Sequence, residues 1–253
     1  MVIKKPQSAT ERIILALDVD TLEEAKELVV ELKDYVGYFK VGLQLYTACG
    51  YDSVKMIHDM GAKVFFDAKF HDIPNTVARA SANLVKNDVD FFDLHIKGGS
   101  KMLSTTSRLC REVAKKYNKP MPTILGVTLL SSFGQKTLNQ ELNVNMNIDE
   151  YVSRLAKVAL EAKLDGVVAS ASEVGAIRRV CGDDFIIVCP AIRPTWSVVD
   201  DQVRVVTPTD AIEAGVDYMV VGRPVIFAKD RIEAITLIID EIEEAKETIQ
   251  ERL

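Results

Sequence analysis

Short apolar runs alternate with stretches of helical periodicity along most of the chain. Residues 12–18 form the first apolar run, and residues 23–35 then place Leu28, Leu32 and Tyr35 on one helical face. This order predicts a strand followed by a helix, and the same unit recurs. The predicted strands are residues 12–18, 38–42, 63–69, 91–96, 123–128, 166–169, 185–189 and 218–221.

Helices are predicted in most of the connections between these strands. Repeated β-α units of this size favour parallel strands closed into a barrel, with the active site at the carboxyl ends of the strands. We therefore predict one α/β domain over residues 1–253, a (β/α)8 or TIM barrel, with residues 1–10 as a short N-terminal arm. The predicted helices are residues 23–35, 47–60, 74–86, 101–117, 149–162, 173–180 and 232–253.

The overall charge is modest and of mixed sign. The 31 basic and 37 acidic residues give a formal net charge of −6, which favours neither nucleic acid nor a membrane surface as a partner. No apolar run reaches the length needed to span a membrane. The four cysteines form neither a C-x-x-C pair nor a metal-ligand spacing, so we expect reduced thiols in a cytoplasmic protein.

Polar residues occur at most of the predicted strand ends, where barrel enzymes carry their active sites. An isolated polar residue there is an ordinary start of a loop. A buried charge is costly unless it is paired, so alternating charges that converge on one barrel mouth predict a network. The residues concerned are Asp18, Lys40, Asp67, Lys69, Asp93, His95, Thr128, Pro190, Gly222 and Arg223.

One stretch combines the end of an apolar strand, three charges and the start of a helix. Alternate residues of a strand share a face, so Phe65, Asp67 and Lys69 are predicted to point one way. Taken alone, an Asp-x-Lys pair at a strand end is more simply explained as a structural ion pair. Asp72 alone is compatible with a helix N-cap before Pro74 at the first helical position.

The sequence of residues 67–76, D-A-K-F-H-D-I-P-N-T, resembles the D-x-K-x-x-D-I-P-N-T signature of the orotidine 5'-monophosphate decarboxylase family, in its bacterial branch. The likeness extends from about residue 12 to about residue 228. Five further segments resemble elements of that family, in the same order along the chain. They are residues 190–194 for P-G-I-R-P, Asp201 with Gln202 for D-Q, Arg204 for R, Thr207 with Pro208 for T-P, and residues 221–224 for I-G-R-P.

Two departures from the family pattern are visible. Ala191 replaces the usual glycine of P-G-I-R-P, which is expected to stiffen the loop after the seventh strand. Residues 91–97, F-F-D-L-H-I-K, differ from the more common N-V-H-A, although His95 still matches. This second departure leaves the role of Asp93 open.

The resemblance implies a cofactor-independent and metal-free enzyme that converts orotidine 5'-monophosphate to uridine 5'-monophosphate in pyrimidine biosynthesis. It implies that Lys40, Asp67, Lys69 and Asp72 form an alternating charged array around the reacting carbon, with Lys69 as the proton donor. It also implies a homodimer with shared active sites, in which Asp72 and Thr76 reach the site of the partner chain.

The resemblance further implies a set of substrate contacts. Short side chains among them are equally compatible with cap or loop roles, as for Thr76 and Ser131, and an arginine is most often a solvated surface charge. The implied ribose contacts are Asp18, Lys40 and Thr76, and the implied contact with the pyrimidine edge is Ser131. The implied phosphate contacts are Arg193, Gly222 and Arg223. Gln202 is implied to contact both phosphate and base, and Pro190 is implied to contact the substrate.

Two other functions remain open from the sequence. Magnesium-dependent barrel enzymes acting on sugar phosphates, such as hexulose-phosphate synthase and keto-gulonate-phosphate decarboxylase, share the D-x-K-x-x-D core. They lack the I-P-N-T continuation, so residues 73–76 favour the nucleotide enzyme. A nucleotide-binding regulator without catalysis is the second alternative. We predict no metal site, because His71 and His95 lack a close group of carboxylates and are interpreted as packing or hydrogen-bonding residues.

Overall fold

A computed structural model describes residues 5–196 and 206–252. The strands form a closed parallel barrel in sequential order from β1 to β8, which confirms the predicted (β/α)8 fold in a single α/β domain. Their bounds agree with the predicted strands to within two residues. The strands are β1 Ile13–Ala16, β2 Tyr38–Val41, β3 Val64–Phe70, β4 Phe91–His95, β5 Thr123–Val127, β6 Gly166–Val168, β7 Ile186–Cys189 and β8 Tyr218–Val221.

The helices surround this barrel. The predicted helix over residues 47–60 is two helices, α3 and α4, because the chain turns at Gly50 with a positive φ of 59°, which glycine adopts readily. The helices are α1 Ala9–Arg12, α2 Leu22–Leu32, α3 Leu43–Cys49, α4 Asp52–Asp59, α5 Pro74–Lys86, α6 Ser100–Tyr117, α7 Ile148–Glu161, α8 Val174–Cys181, α9 Pro208–Ala214, α10 Arg223–Ile226 and α11 Arg231–Glu251.

The chain from Ser8 to Arg12 contacts the rest of the domain. Ser8 caps α1 by accepting the N–H of Glu11, and the N–H of buried Ala9 donates to Glu243 at 2.9 Å. Residues 9 and 10, the last two of the predicted arm, lie in α1. Within the described ranges, no helix has the length and apolar character needed to cross a membrane.

The start of α5 lies directly after the charged end of β3. The helix begins at Pro74 and ends at Lys86, as predicted. Proline suits this first position because the N–H that it lacks would have no partner inside the helix. Ile73 is the N-cap residue, so the alternative that Asp72 caps the helix is wrong. Asp72 Oδ1 instead accepts the N–H of Ile73 at 2.6 Å.

Two apolar layers hold the barrel together. Alternate strand residues point inward, where Phe65, Phe91 and Tyr218 belong to the interior cluster, or outward against the helices, as Phe66 does. Tyr38 packs edge-on against Phe91 with ring centroids 4.6 Å apart, and this aromatic group fills the interior. The filled interior leaves the carboxyl ends of the strands as the place for a site.

Candidate active site

A cavity of about 220 Å³ opens at the carboxyl ends of the barrel strands. Its wall carries most of the polar residues that the sequence predicts at strand ends, but not His95 or Thr128, together with apolar residues from β1, β5, β6 and β8. Polar and charged lining residues are Asp18, Lys40, Asp67, Lys69, Asp93, Ser131, Arg193 and Arg223, and Pro190 and Gly222 complete the predicted set found there.

A chain of alternating charges runs across this cavity. Lys40 Nζ lies 3.2 Å from Asp18 Oδ1 and 3.2 Å from Asp67 Oδ2. The other oxygen of Asp67, Oδ1, accepts a hydrogen bond from Lys69 Nζ. Asp67 therefore holds two ammonium groups at once, one on each carboxylate oxygen.

The pairing decides the charge of these buried groups. Burial raises the pKa of Asp67, but the ammonium groups of Lys40 and Lys69 and a hydrogen bond with Asp93 bring this pKa well below its usual range. Burial lowers the pKa of Lys40, whereas Asp67 and Asp18 raise it, and the balance lies above the ordinary value. Asp67 is therefore a carboxylate and Lys40 an ammonium ion at neutral pH.

The backbone at Lys69 departs from a regular strand. Its φ is 49°, a left-handed conformation that costs a non-glycine residue about 1–3 kcal/mol. The pairing of β3 with β4 is irregular between Phe66 and Phe70, and the Lys69 N–H donates to Asp93 Oδ1 at 2.8 Å. The side chain of Asp93 thus supplies an acceptor for this N–H where the regular ladder is interrupted.

Gly42 gives the Lys40 ammonium group its space. A Cβ at residue 42 would lie 2.7 Å from Lys40 Nζ, closer than a side chain can approach. Gly42 is the last residue of the predicted strand over residues 38–42, and the sequence alone indicates no function for it. A glycine two residues after a strand-end lysine was the available signal, but such a signal does not reveal which atom needs the space.

The predicted phosphate contacts lie on the opposite side of the barrel from β3. Arg193 follows β7, is buried, and its N–H donates to Val206 O at 2.9 Å. Gly222 follows β8 and Arg223 begins the short helix α10. Arg193 and Arg223 therefore line the same cavity as the charged residues of β2 and β3.

Two predicted site residues do not line the cavity of this chain, and a third cannot be placed because it is not among the described residues. Asp72 and Thr76 are exposed and lie outside the cavity wall, one before α5 and one in its first turn. Gln202 lies outside the described residues, as do Asp201 and Arg204. The structure therefore brings Lys40, Asp67 and Lys69 together without Asp72.

Comparison with known proteins adds independent evidence. The family model described as "Orotidine 5'-phosphate decarboxylase / HUMPS family" matches residues 11–238. The chain belongs to this family. The family and the enzyme class predicted from the motif, orotidine 5'-phosphate decarboxylase, are thereby confirmed.

Relatives in this decarboxylase family cover nearly the whole chain. The orotidine 5'-phosphate decarboxylase of Moorella thermoacetica is 45% identical over 94% of this chain and 94% of its own. That of Syntrophotalea carbinolica is 46% identical over 94% of this chain and 98% of its own. The crystal structure of orotidine 5'-phosphate decarboxylase from Lactobacillus acidophilus is 34% identical, has a TM-score of 0.79, and covers 94% of this chain and 99% of that one.

Two histidines lie beside each other where β3 and β4 end. The rings of His71 and His95 lie 5.4 Å apart, and the buried Nδ1 of His95 has no hydrogen-bond partner among the described residues. Within the same part of the chain, no group of three or more His, Cys, Asp or Glu side chains is arranged to hold a metal ion. Burial, followed by the nearby His71, lowers the pKa of His95 to about 4, so the ring is neutral at neutral pH.

Replacing His95 by glutamine is expected to flatten the acid dependence of stability. The folded chain resists protonation of His95 until about pH 4, whereas the unfolded chain takes up this proton near pH 6.5. The free energy of unfolding therefore falls as the pH decreases from 6.5 towards 4, and the variant lacks this contribution. Measurement of Tm against pH for wild type and for His95→Gln tests this prediction. Parallel Tm curves between pH 4 and pH 6.5 would contradict the lowered pKa of His95.

Proposed function

We propose that this chain decarboxylates orotidine 5'-monophosphate to uridine 5'-monophosphate in pyrimidine biosynthesis, without a metal or an organic cofactor. The observation that carries the proposal is the buried Asp67 carboxylate paired with Lys40 and Lys69, in a cavity that also presents Arg193 and Arg223. This arrangement supplies cations for both ends of a nucleotide that carries a ring carboxylate and a phosphate.

The reaction explains why a fixed cation is needed. The bond from ring carbon C6 to the carboxylate breaks, carbon dioxide leaves, and the electron pair stays on C6. A positive charge placed beforehand stabilises this developing charge without reorganisation. The ammonium group of Lys69 fills this role and then gives its proton to C6, and solvent restores the proton to the lysine.

Asp67 serves first as an orienting group. It holds the Lys69 ammonium and, through its second oxygen, the Lys40 ammonium at 3.2 Å, so both cations have fixed positions before substrate binds. Lys40 also contacts Asp18 at the rim, where the two side chains are suited to the ribose hydroxyls. Ser131 lies on the cavity wall, at a place suited to the pyrimidine edge.

The phosphate is assigned to the loops after β7 and β8. Barrel enzymes frequently bind phosphate there, and a guanidinium group makes paired, charge-assisted hydrogen bonds to its oxygens. Arg193 and Arg223 supply these groups, Gly222 allows close approach of the backbone, and Pro190 shapes the same wall. Gln202 is assigned a bridging role between phosphate and base, and it lies outside the described residues.

The active unit is proposed to be a homodimer. Asp72 and Thr76 are exposed and outside the cavity of their own chain, yet they belong to the same motif as Asp67 and Lys69. A two-fold pair of chains would bring both residues to the mouth of the partner barrel. Each site would then hold three charges of the array from one chain and Asp72 from the other.

The loss of orotidine 5'-monophosphate absorbance, followed with and without a chelator, tests the proposed reaction. We expect turnover in both conditions. Turnover that stops with the chelator and returns with magnesium would favour metal-dependent chemistry of the sugar-phosphate type. Binding of uridine monophosphate with unchanged absorbance would favour a regulator without catalysis.

Replacing Arg223 by alanine is expected to raise KM strongly and to lower kcat less. A hydrogen bond between charged groups contributes about 1.5–3 kcal/mol, so KM should rise roughly tenfold to a hundredfold. The loss is mainly in KM because the phosphate contact exists in both the ground state and the transition state. Steady-state kinetics with the full nucleotide measure this effect.

Two controls accompany the Arg223→Ala measurement. Arg154 lies on exposed α7, where it pairs with Glu150 at 2.7 Å, so Arg154→Ala should leave both constants unchanged. Orotidine, which lacks the phosphate, should show little difference between wild type and Arg223→Ala. An equal loss of kcat/KM on orotidine would mean that Arg223 does not act through the phosphate.

A further inference from the structure

Asp93 is a buried carboxyl group next to the reacting array, and the proposed mechanism gives it no task. It lies on β4 on the same inward face as Phe91, is fully buried, and borders the cavity. Its Oδ1 accepts the N–H of Lys69 at 2.8 Å, and the negative charge of Asp67 acts on its carboxyl group.

We propose that Asp93 is a positioning residue, a neutral carboxylic acid that holds the Lys69 backbone with one oxygen and donates a hydrogen bond to Asp67 with the other. This inference rests on the proposed decarboxylase function and adds a residue to its machinery. Asp93 acts through Lys69 and Asp67 and does not itself touch the reacting carbon.

The backbone geometry gives Asp93 its first role. Lys69 has a left-handed φ of 49° at the place where β3 and β4 pair irregularly. A buried N–H without an acceptor is strongly destabilising, and Asp93 Oδ1 supplies the acceptor here. The contact therefore stabilises the strained conformation from which the Lys69 side chain reaches Asp67.

The charges around Asp93 give it its second role. Two neighbouring carboxyl groups in a buried site do not both ionise readily, so one of them keeps a proton. Asp67 has two ammonium partners, whereas Asp93 Oδ2 is buried and accepts no hydrogen bond in the described part of the chain. The proton therefore belongs on Asp93 Oδ2, from which it is donated to Asp67.

The surroundings of Asp93 agree with a neutral group. The charged groups that face it come from β3 and are Asp67 and Lys69, while β5 places Leu125 opposite it in the sheet. On its own strand the nearest titratable residue is His95, which is neutral at neutral pH. Burial, then the charge of Asp67, raises the pKa of Asp93 well above its ordinary value, although the Lys69 ammonium opposes this.

An asparagine at residue 93 is the closest chemical match to a neutral Asp93. An asparagine offers one carbonyl acceptor and an N–H donor, and a protonated carboxyl group offers one acceptor and one O–H donor. The two side chains can therefore make the same pair of hydrogen bonds, to the Lys69 N–H and to Asp67.

Two substitutions at residue 93 separate positioning from charge. Asp93→Asn preserves both hydrogen bonds and should keep kcat within about threefold of wild type. Asp93→Ala removes both and should lower kcat by about tenfold to a hundredfold with little change in KM, because Lys69 is displaced more than the phosphate and ribose contacts. An asparagine variant as impaired as the alanine variant, or an alanine variant with full kcat, would overturn the proposal.

A matched control distinguishes positioning from general loss of a buried carboxyl group. Asp165 also accepts a backbone N–H from a neighbouring strand, that of Ile124 at 2.8 Å, and it does not border the cavity. Asp165→Ala should reduce Tm and leave kcat unchanged. An equal fall in kcat for Asp165→Ala and Asp93→Ala would overturn the specific role of Asp93.

Infrared difference spectroscopy of wild type against Asp93→Asn tests the proton directly and needs no turnover. We expect the C=O band of a protonated carboxylic acid in wild type alone, shifting on deuteration. Absence of this band at neutral pH overturns the proposal even if Asp93→Ala does not fold. If wild type shows the band but no decarboxylation, the proposed function fails while the protonation of Asp93 stands.

Stability provides a second readout that is independent of activity. The folded wild type keeps a proton on Asp93, whereas the unfolded chain releases this proton above about pH 3.8. The contribution of Asp93 to the free energy of unfolding therefore falls as the pH rises from 3.8 towards the pKa of Asp93 in the folded chain. Asp93→Asn removes the penalty, and its Tm relative to wild type should increase with pH over this range. A constant Tm difference would contradict a neutral Asp93.

Discussion

Replacing Lys69 by alanine is expected to abolish turnover while nucleotide binding survives. The ammonium group acts mainly as negative charge develops at C6, so its loss raises the barrier more than it weakens the ground-state complex. A barrier increase of several kcal/mol is expected, and each ~1.4 kcal/mol reduces the rate tenfold. Single-turnover kinetics give the rate, and calorimetric titration with uridine monophosphate gives the affinity.

The buried charges make Lys69→Ala a usable variant. Asp67 keeps its second partner, Lys40 at 3.2 Å, so removal of Lys69 does not leave an unpaired buried carboxylate. The exposed Lys157 on α7 provides a control, and Lys157→Ala should retain full activity. Near-normal turnover in Lys69→Ala would show that another group supplies the proton.

Lys69→Arg separates the positive charge from the proton. A guanidinium group keeps the charge but does not release a proton in proteins. If Lys69 acts as proton donor, the arginine variant should remain deeply impaired even though its charge is intact. Recovery of turnover in Lys69→Arg would mean that charge alone is sufficient and that the proton comes from elsewhere.

The barrel was predictable because its strands and helices carry strong local patterns. β8 and α5 have the predicted bounds, since apolar runs and the proline at the first helical position are local signals. The separation of α3 from α4 was missed because apolar residues continue on both sides of Gly50. The helix α9, in the connection before β8, was also not predicted.

The charged array was predictable for a different reason. Strand alternation places Asp67 and Lys69 on one face, and the structure joins both to one cavity. The same reasoning assumes a regular strand, so it could not foresee the left-handed backbone of Lys69 or its hydrogen bond to Asp93. That contact depends on a side chain from β4, 24 residues away along the chain.

The proposed roles of Asp72 and Thr76 depend on a second chain. Their assignment came from the family motif, and in this chain both are exposed outside the cavity. The three other members of the array are brought together by adjacent strands, β2 and β3, which the fold of one chain fixes. The proposed role of Asp72 in catalysis therefore rests on a second chain related by two-fold symmetry.

Mixing two inactive variants is expected to restore activity if the sites are shared. In a dimer of one Asp72→Ala chain and one Lys69→Ala chain, one site receives both substitutions and the other receives neither. With statistical exchange, half of the dimers are mixed and each has one intact site, so activity should return to about a quarter of wild type. Each variant must be inactive alone, and exchange must be demonstrated with mass-labelled chains.

A mixture of Lys40→Ala with Lys69→Ala is the matched control, because both residues belong to the same chain's site and every site stays damaged. If labelled chains exchange and the Asp72→Ala mixture stays as inactive as this control, Asp72 does not act across the subunit boundary.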